Sequence, residues 1–180
     1  MSEFDAFSGE LLEESKRFLK KAAESRENHA KNAYLHASLM LALSALEARV
    51  NSIAEVQTRR TDLSVHERGL LLEKEVYLQD GEFQITTKLK MSRLDDRVEF
   101  LCVRLSGKPL DKGQSWWGQL IDAIRLRNDL THPKTVPKIT ESAVSNALTA
   151  VINTFDALSL AIYKKRYPAA RRGLTTKLHF

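Results

Sequence analysis

Arg127, Asn128, Thr131 and His132 crowd the end of an apolar stretch, immediately ahead of Pro133. An arginine stays charged, and its planar guanidinium fits a phosphate through paired N–H donors. A histidine titrates near neutrality and can take or give a proton. Asn128 offers an amide that can donate to a phosphate oxygen or orient the imidazole. Cleavage of a phosphodiester beside a 2′-hydroxyl needs these groups together. The hydroxyl must lose a proton, and the pentacoordinate oxyanion must be stabilised. A His/Arg pair suits both tasks without a metal. RNA carries that hydroxyl and DNA lacks it.

Spacing separates the two neighbouring arginines. Arg125 shares a helix face with Asp122 and Asp129, so it reads as a solvated ion pair. Arg127 follows Ile124 by three residues and Leu120 by seven, continuing an inward stripe. A charge at a core-directed position is costly unless paired. It calls for a carboxylate, an interface or a ligand. Glu47 and Asn51, one helical turn apart, are the candidate supports, with Glu47 pairing Arg127. The alternative leaves them on a partly exposed helix edge. His132 precedes a proline, which pushes it out of the α region. The helix should end near Leu130 or Thr131, freeing the imidazole to swing back. His132 has a plainer reading too, as a cation at a helix C-terminus.

Other residues carry less. His29 and His36 lie seven apart with no third ligand at metal spacing, so no metal site is expected. Trp116 and Trp117 read as core anchors before base-stacking platforms. Cys102 reads as buried packing.

The elements that must position these groups are helical. Residues 3–27 and 30–59 carry apolar stripes, the second nearly apolar all round between Ala37 and Leu46. Ser64 and Glu67 have capping-box spacing for a short helix. The period then changes to two, and strands at 75–79 and 82–86 flank Asp80-Gly81, predicting a β-hairpin insertion. Ser92, Ser115 and Thr140 are candidate caps for three further helices, and Gly107 with Pro109 ends the first of them. The fold class expected is all-α: an antiparallel bundle of five to six helices with a small hairpin at about 75–86.

The 180 residues fit a single helical domain over 1–165 and a basic C-terminal tail over 166–180. From residue 164 onward stand Lys164, Lys165, Arg166, Arg171, Arg172 and Lys177, with no acid; the remainder holds 22 basic against 23 acidic residues. Lys134, Lys164, Lys165, Arg166, Arg171 and Arg172 are the candidate RNA-phosphate contacts; a solvated, partly disordered terminus is the other reading of the tail. One cysteine suits a reducing, cytoplasmic setting, and no signal peptide or membrane-spanning run is read.

Arg127-Asn128-x-Leu130-x-His132, late in an apolar helix, resembles the R-x4-6-H motif of the HEPN superfamily, in which a polar residue often follows the arginine. The segment Leu43–Ile53 resembles that family's long helix with its acidic residue. The likeness spans roughly residues 30–165. It implies a homodimer whose two motifs meet near the twofold axis. It also implies metal-independent endoribonuclease activity without cofactor, leaving a 2′,3′-cyclic phosphate, in proteins that often act as toxins or in phage defence. Carried over, His132 is the acid/base, Arg127 the phosphate ligand and Asn128 the supporting polar group. A cognate antitoxin or regulatory protein is then a possible partner. Some members are non-catalytic interaction or nucleic-acid-binding modules, the alternative reading.

Overall fold

The computed structural model describes residues 3–180; the first two residues of the expected 1–165 domain lie outside the described residues. The chain forms α1 (Glu3–Glu24), α2 (Asn28–Gln57), α3 (Val65–Leu72), β1 (Lys74–Gln79), β2 (Glu82–Leu89), α4 (Leu94–Ser106), α5 (Ser115–Thr131) and α6 (Glu141–Tyr163). A 3-10 helix, Pro168–Arg172, follows. The fold is an all-α bundle with one antiparallel hairpin inserted between α3 and α4.

Helices α2 and α6 carry the centre. Leu39, Leu43, Leu46 and Val50 on α2 are fully buried, as are Val144, Leu148, Val151, Phe155 and Leu158 on α6. Each further buried leucine or phenylalanine adds about 1.5–3 kcal/mol of apolar transfer. Helix α6 touches α1, α2, α4 and α5, so it joins the helices that hold the candidate site. Trp116 and Trp117 are both buried and meet edge to face, 5.8 Å between ring centres. Phe7 on α1, though apolar, is half exposed.

The helix ends follow the chemistry of their caps. Ser64 and Glu67 form a reciprocal capping box, and the Thr140 hydroxyl accepts from the Ala143 N–H at 3.2 Å. Gly107 closes α4 with φ 72°, a conformation that favours glycine. Ser92 and Ser115 do not cap. Arg93 and Gln114 stand at those positions without side-chain cap bonds. The Ser92 N–H donates instead to Glu73 Oε1 at 3.2 Å, and Ser115 is already the first helical residue.

Asp80 and Gly81 both take positive φ, 51° and 85°, as a two-residue turn between Gln79 and Glu82 requires. The strands extend to Lys74 and Leu89, beyond the expected 75–86. Gly69 lets the hairpin lie against α3: a Cβ there would stand 2.5 Å from Val76 Cγ2.

The tail is clasped to α1. Arg172 Nη2 donates to Glu13 Oε1 at 2.6 Å, the Lys177 N–H to Glu13 Oε2 at 2.9 Å, and Thr176 Oγ1 to the Glu13 carbonyl at 3.1 Å. The Phe180 ring meets Phe18 at 5.6 Å, with the Arg17 guanidinium 5.5 Å from its centre. Arg49 is buried, ion-paired with Asp5 and lying 5.8 Å from the Phe155 ring centre. Among the described residues, no helix is long and apolar enough to cross a membrane.

Candidate functional site

The C-terminal end of α5, the middle of α2 and the start of α4 enclose a cleft of about 910 Å³. Its walls include Arg127, Asn128, Thr131 and His132 from α5, and Glu47 and Asn51 from α2. The catalytic and supporting residues expected from the sequence therefore share one concave surface.

Arg127 reaches the cleft because Leu120 and its neighbours fix that stripe of α5 inward. Leu120 is fully buried, and Ile124 packs partly buried on the core. One turn further along, the stripe leaves the core and emerges beside α2. There Arg127 Nη1 donates to Glu47 Oε1 at 2.9 Å, with the Arg127 and Glu47 side chains 20% and 40% exposed. Arg125 instead pairs weakly with Asp122 at 3.5 Å, both well exposed. The charge was misplaced for the core and is correctly placed for a half-buried cleft wall.

His132 is the residue where α5 stops. Its N–H still donates to the Asn128 carbonyl at 2.8 Å, while φ −130° and ψ 59° leave the helix. Pro133 enforces that departure. The imidazole is exposed and lines the cleft. Asn128 is also exposed, and the Thr131 hydroxyl is occupied by the Arg127 carbonyl at 3.0 Å.

The facing wall holds groups that were not anticipated. Arg97 of α4 is buried; its Nη1 lies 3.1 Å from Glu73 Oε2, and its Nη2 donates to Asn51 Oδ1 at 2.8 Å and the Leu71 carbonyl at 2.9 Å. Burial pulls the Arg97 guanidinium below its usual range, against the opposing charges of Glu73 and Glu47. Beside it, Arg93 grips Asp95 through two bonds of 3.2 and 2.6 Å. The signal for Arg97 was present in the sequence. It follows Leu94 by three residues and precedes Leu101 by four, the same core-directed placement that singled out Arg127.

The cleft is electrically divided. The α5 wall presents Arg125, Arg127 and His132; the opposite wall presents Glu47, Glu73 and Asp95, with Arg93 and Arg97 among them. A phosphate suits the first wall, and a neutral group with hydrogen-bonding edges suits the second.

The remaining cations lie elsewhere. Lys134 is exposed beyond Pro133 and does not line the cleft. Lys164, Lys165, Arg166, Arg171 and Arg172 are absent from its walls. Arg166 pairs with Asp156 at 3.1 Å, and Lys164 Nζ donates to the Ala161 carbonyl at 2.9 Å. Arg172 lines a separate pocket of about 540 Å³ against α1.

No protein-family model, curated protein or solved structure matches this chain.

Proposed function

We propose that this chain is a metal-independent endoribonuclease of the HEPN type, with Arg127 and His132 as its working pair. The observation that carries the reading is their placement on one cleft, with Arg127 held by Glu47 and His132 freed by the helix end. His132 takes the proton of the 2′-hydroxyl. The resulting alkoxide attacks phosphorus, and the 5′-oxygen leaves with a proton. The products are a 2′,3′-cyclic phosphate and a 5′-hydroxyl end. Arg127 stabilises the charge that develops on the non-bridging oxygens. Asn128 supplies a further donor beside it.

In the homodimer that the HEPN likeness implies, a second copy brings a second imidazole. One can then take a proton while the other gives one. A cytoplasmic toxin or phage-defence effector, restrained by an antitoxin, fits such an activity. Purified protein incubated with RNA and EDTA should generate cyclic-phosphate ends, and His132→Ala and Arg127→Ala should each stop this while folding normally. Unchanged cleavage by both variants would remove the site assignment.

One observation favours a second reading. Glu47 already neutralises Arg127, as a structural ion pair would. The chain would then be a non-catalytic dimeric or nucleic-acid-binding module. Expression in a bacterial host separates the two: toxicity abolished by His132→Ala belongs to an enzyme.

A further inference from the structure

Arg97 fixes which way the Asn51 amide faces. A guanidinium only donates hydrogen bonds. The Asn51 atom 2.8 Å from Arg97 Nη2 is therefore the carbonyl Oδ1, and the amide Nδ2 is turned away from it. Asn51 is exposed and lines the cleft, so Nδ2 is a donor available there. Arg97 is buried and fixed by Glu73 and the Leu71 carbonyl, which makes it a rigid clamp on that orientation.

One turn earlier on α2 stands Glu47, about 5–6 Å away at Cβ. Its Oε1 accepts from Arg127, while Oε2 has no hydrogen bond among the described residues. The other two carboxylates on this wall are committed through both oxygens. Glu73 takes Arg97 and the Ser92 N–H, and Asp95 takes Arg93 twice. The α2 wall thus offers one open donor, Asn51 Nδ2, beside one open acceptor, Glu47 Oε2. A phosphate is disfavoured in contact with Glu47 Oε2 itself and can lie only against the Arg127 donors that Glu47 does not take. A nucleobase edge, with an N–H next to a ring nitrogen or carbonyl, matches both atoms.

We propose that Asn51 and Glu47 form a nucleobase seat that reads the Watson–Crick edge of the nucleotide whose phosphate lies against Arg127. Arg97 is its positioning residue. This rests on the ribonuclease reading of the cleft and extends it to substrate choice. A base read on that edge must be unpaired, so the site takes single-stranded RNA and excludes duplex.

The discriminating variant is Asn51→Asp. An aspartate still accepts from Arg97, so the clamp survives, but the cleft now meets two acceptors in place of a donor and an acceptor. Guanine alone presents two adjacent donors, N1–H and the N2 amino group, on its Watson–Crick edge. Calorimetric titration with the four nucleoside 3′-monophosphates is the assay, because it needs no turnover. Relative to wild type, Asn51→Asp should weaken the adenine, cytosine and uracil nucleotides by about tenfold, the size of one lost base-edge contact, and spare or improve guanine. Its melting temperature should match the wild type. An unshifted base profile in a folded variant overturns the seat, and so does binding of none of the four by the wild type. The cleavage assay keeps the two failures apart. If His132→Ala stops cleavage but Asn51→Asp leaves the base profile unchanged, only the seat falls. If His132→Ala and Arg127→Ala both leave cleavage unchanged, the ribonuclease reading falls as well.

Discussion

Arg127 Nη1 lies 2.9 Å from Glu47 Oε1, joining residues 80 positions apart, one on α5 and one on α2, that both line the cleft. Both side chains keep solvent contact, 20% and 40% exposed, so the pair contributes about 0–1 kcal/mol to stability. On the proposed reading the guanidinium is held there for a substrate phosphate rather than for stability. Arg127→Ala should therefore leave thermal unfolding nearly unchanged while lowering RNA cleavage by about 10²–10³, as loss of a transition-state charge donor does. Arg127→Lys keeps the charge without the paired donors and should fall between. Cleavage rates alongside melting curves decide this; a large stability loss without a rate loss would make the pair merely structural.

His132 offers a cleaner separation. It is exposed and ends α5 through its backbone N–H, which any residue there except proline supplies. His132→Ala should fold as the wild type does and lose about 10²–10⁴ of the rate, the span expected for a general base. His132→Gln keeps a hydrogen-bonding side chain but cannot exchange protons at neutral pH, so it should be as inactive. An active glutamine variant would assign the imidazole to binding alone.

How far the sequence revealed this arrangement depended on whether a signal was local. The Asp80-Gly81 turn and the Ser64 capping box are fixed by a few adjacent residues, and both are observed as expected. Arg127 was legible because charge and periodicity conflicted at one position. Arg97 showed the same conflict, but its meaning depends on Glu73, Asn51 and Leu71, brought together only by folding. Ser92 illustrates the reverse case. Its type and position fit a cap, yet its N–H is taken by Glu73, a tertiary partner that local sequence cannot show. The tail cations were visible as a cluster, but not the Glu13 side chain that holds Arg172 and the Lys177 backbone.

Glu13 gives that clasp a pH dependence. Burial raises the carboxyl, but the Lys177 N–H, the Lys16 ammonium and Arg172 outweigh it and hold it below the usual 4.5. A depressed carboxylate stabilises the fold above its unfolded value, and that contribution fades as pH falls through the folded one. Amide exchange at Lys177, followed by NMR, should show protection at neutral pH that is lost in acid. Glu13→Gln should weaken the protection at neutral pH. Protection unaffected by both acid and Glu13→Gln would show that Phe180 and the 3-10 helix hold the tail unaided.

Cys102 should be chemically silent in the native state. Burial pushes its thiol from 9.0 up to about 12, so almost no thiolate exists at neutral pH. A thiol reagent at pH 8 should react only after unfolding in urea. Between about 9 and 12 the unfolded chain loses this proton and the native one keeps it, so stability falls as pH rises. Cys102→Ala should flatten that alkaline decline.

Glu73 ties the hairpin to the bundle and should therefore reveal itself through motion as well as stability. It adopts φ 53° at the end of α3, and its carbonyl accepts from the Lys90 N–H at 2.8 Å. Its side chain takes the Ser92 N–H and the Arg97 guanidinium. Both ends of the insertion therefore converge on this one residue. Glu73→Ala removes the partner of an Arg97 side chain that is only 4% exposed. Removing one partner of a buried ion pair costs about 3–5 kcal/mol, the upper end being eased here by the bonds that Arg97 keeps to Asn51 and the Leu71 carbonyl. Arg97→Leu removes the charge with its desolvation and leaves a partly solvated Glu73, so it should cost less. The double variant should fall short of the sum, because the two residues share one interaction. Amide exchange across residues 74–92 should rise more in Glu73→Ala than in Arg97→Leu, since only the former also frees Ser92. Equal exchange in the two variants would place the anchor of the hairpin at Gly69 and Val76 instead.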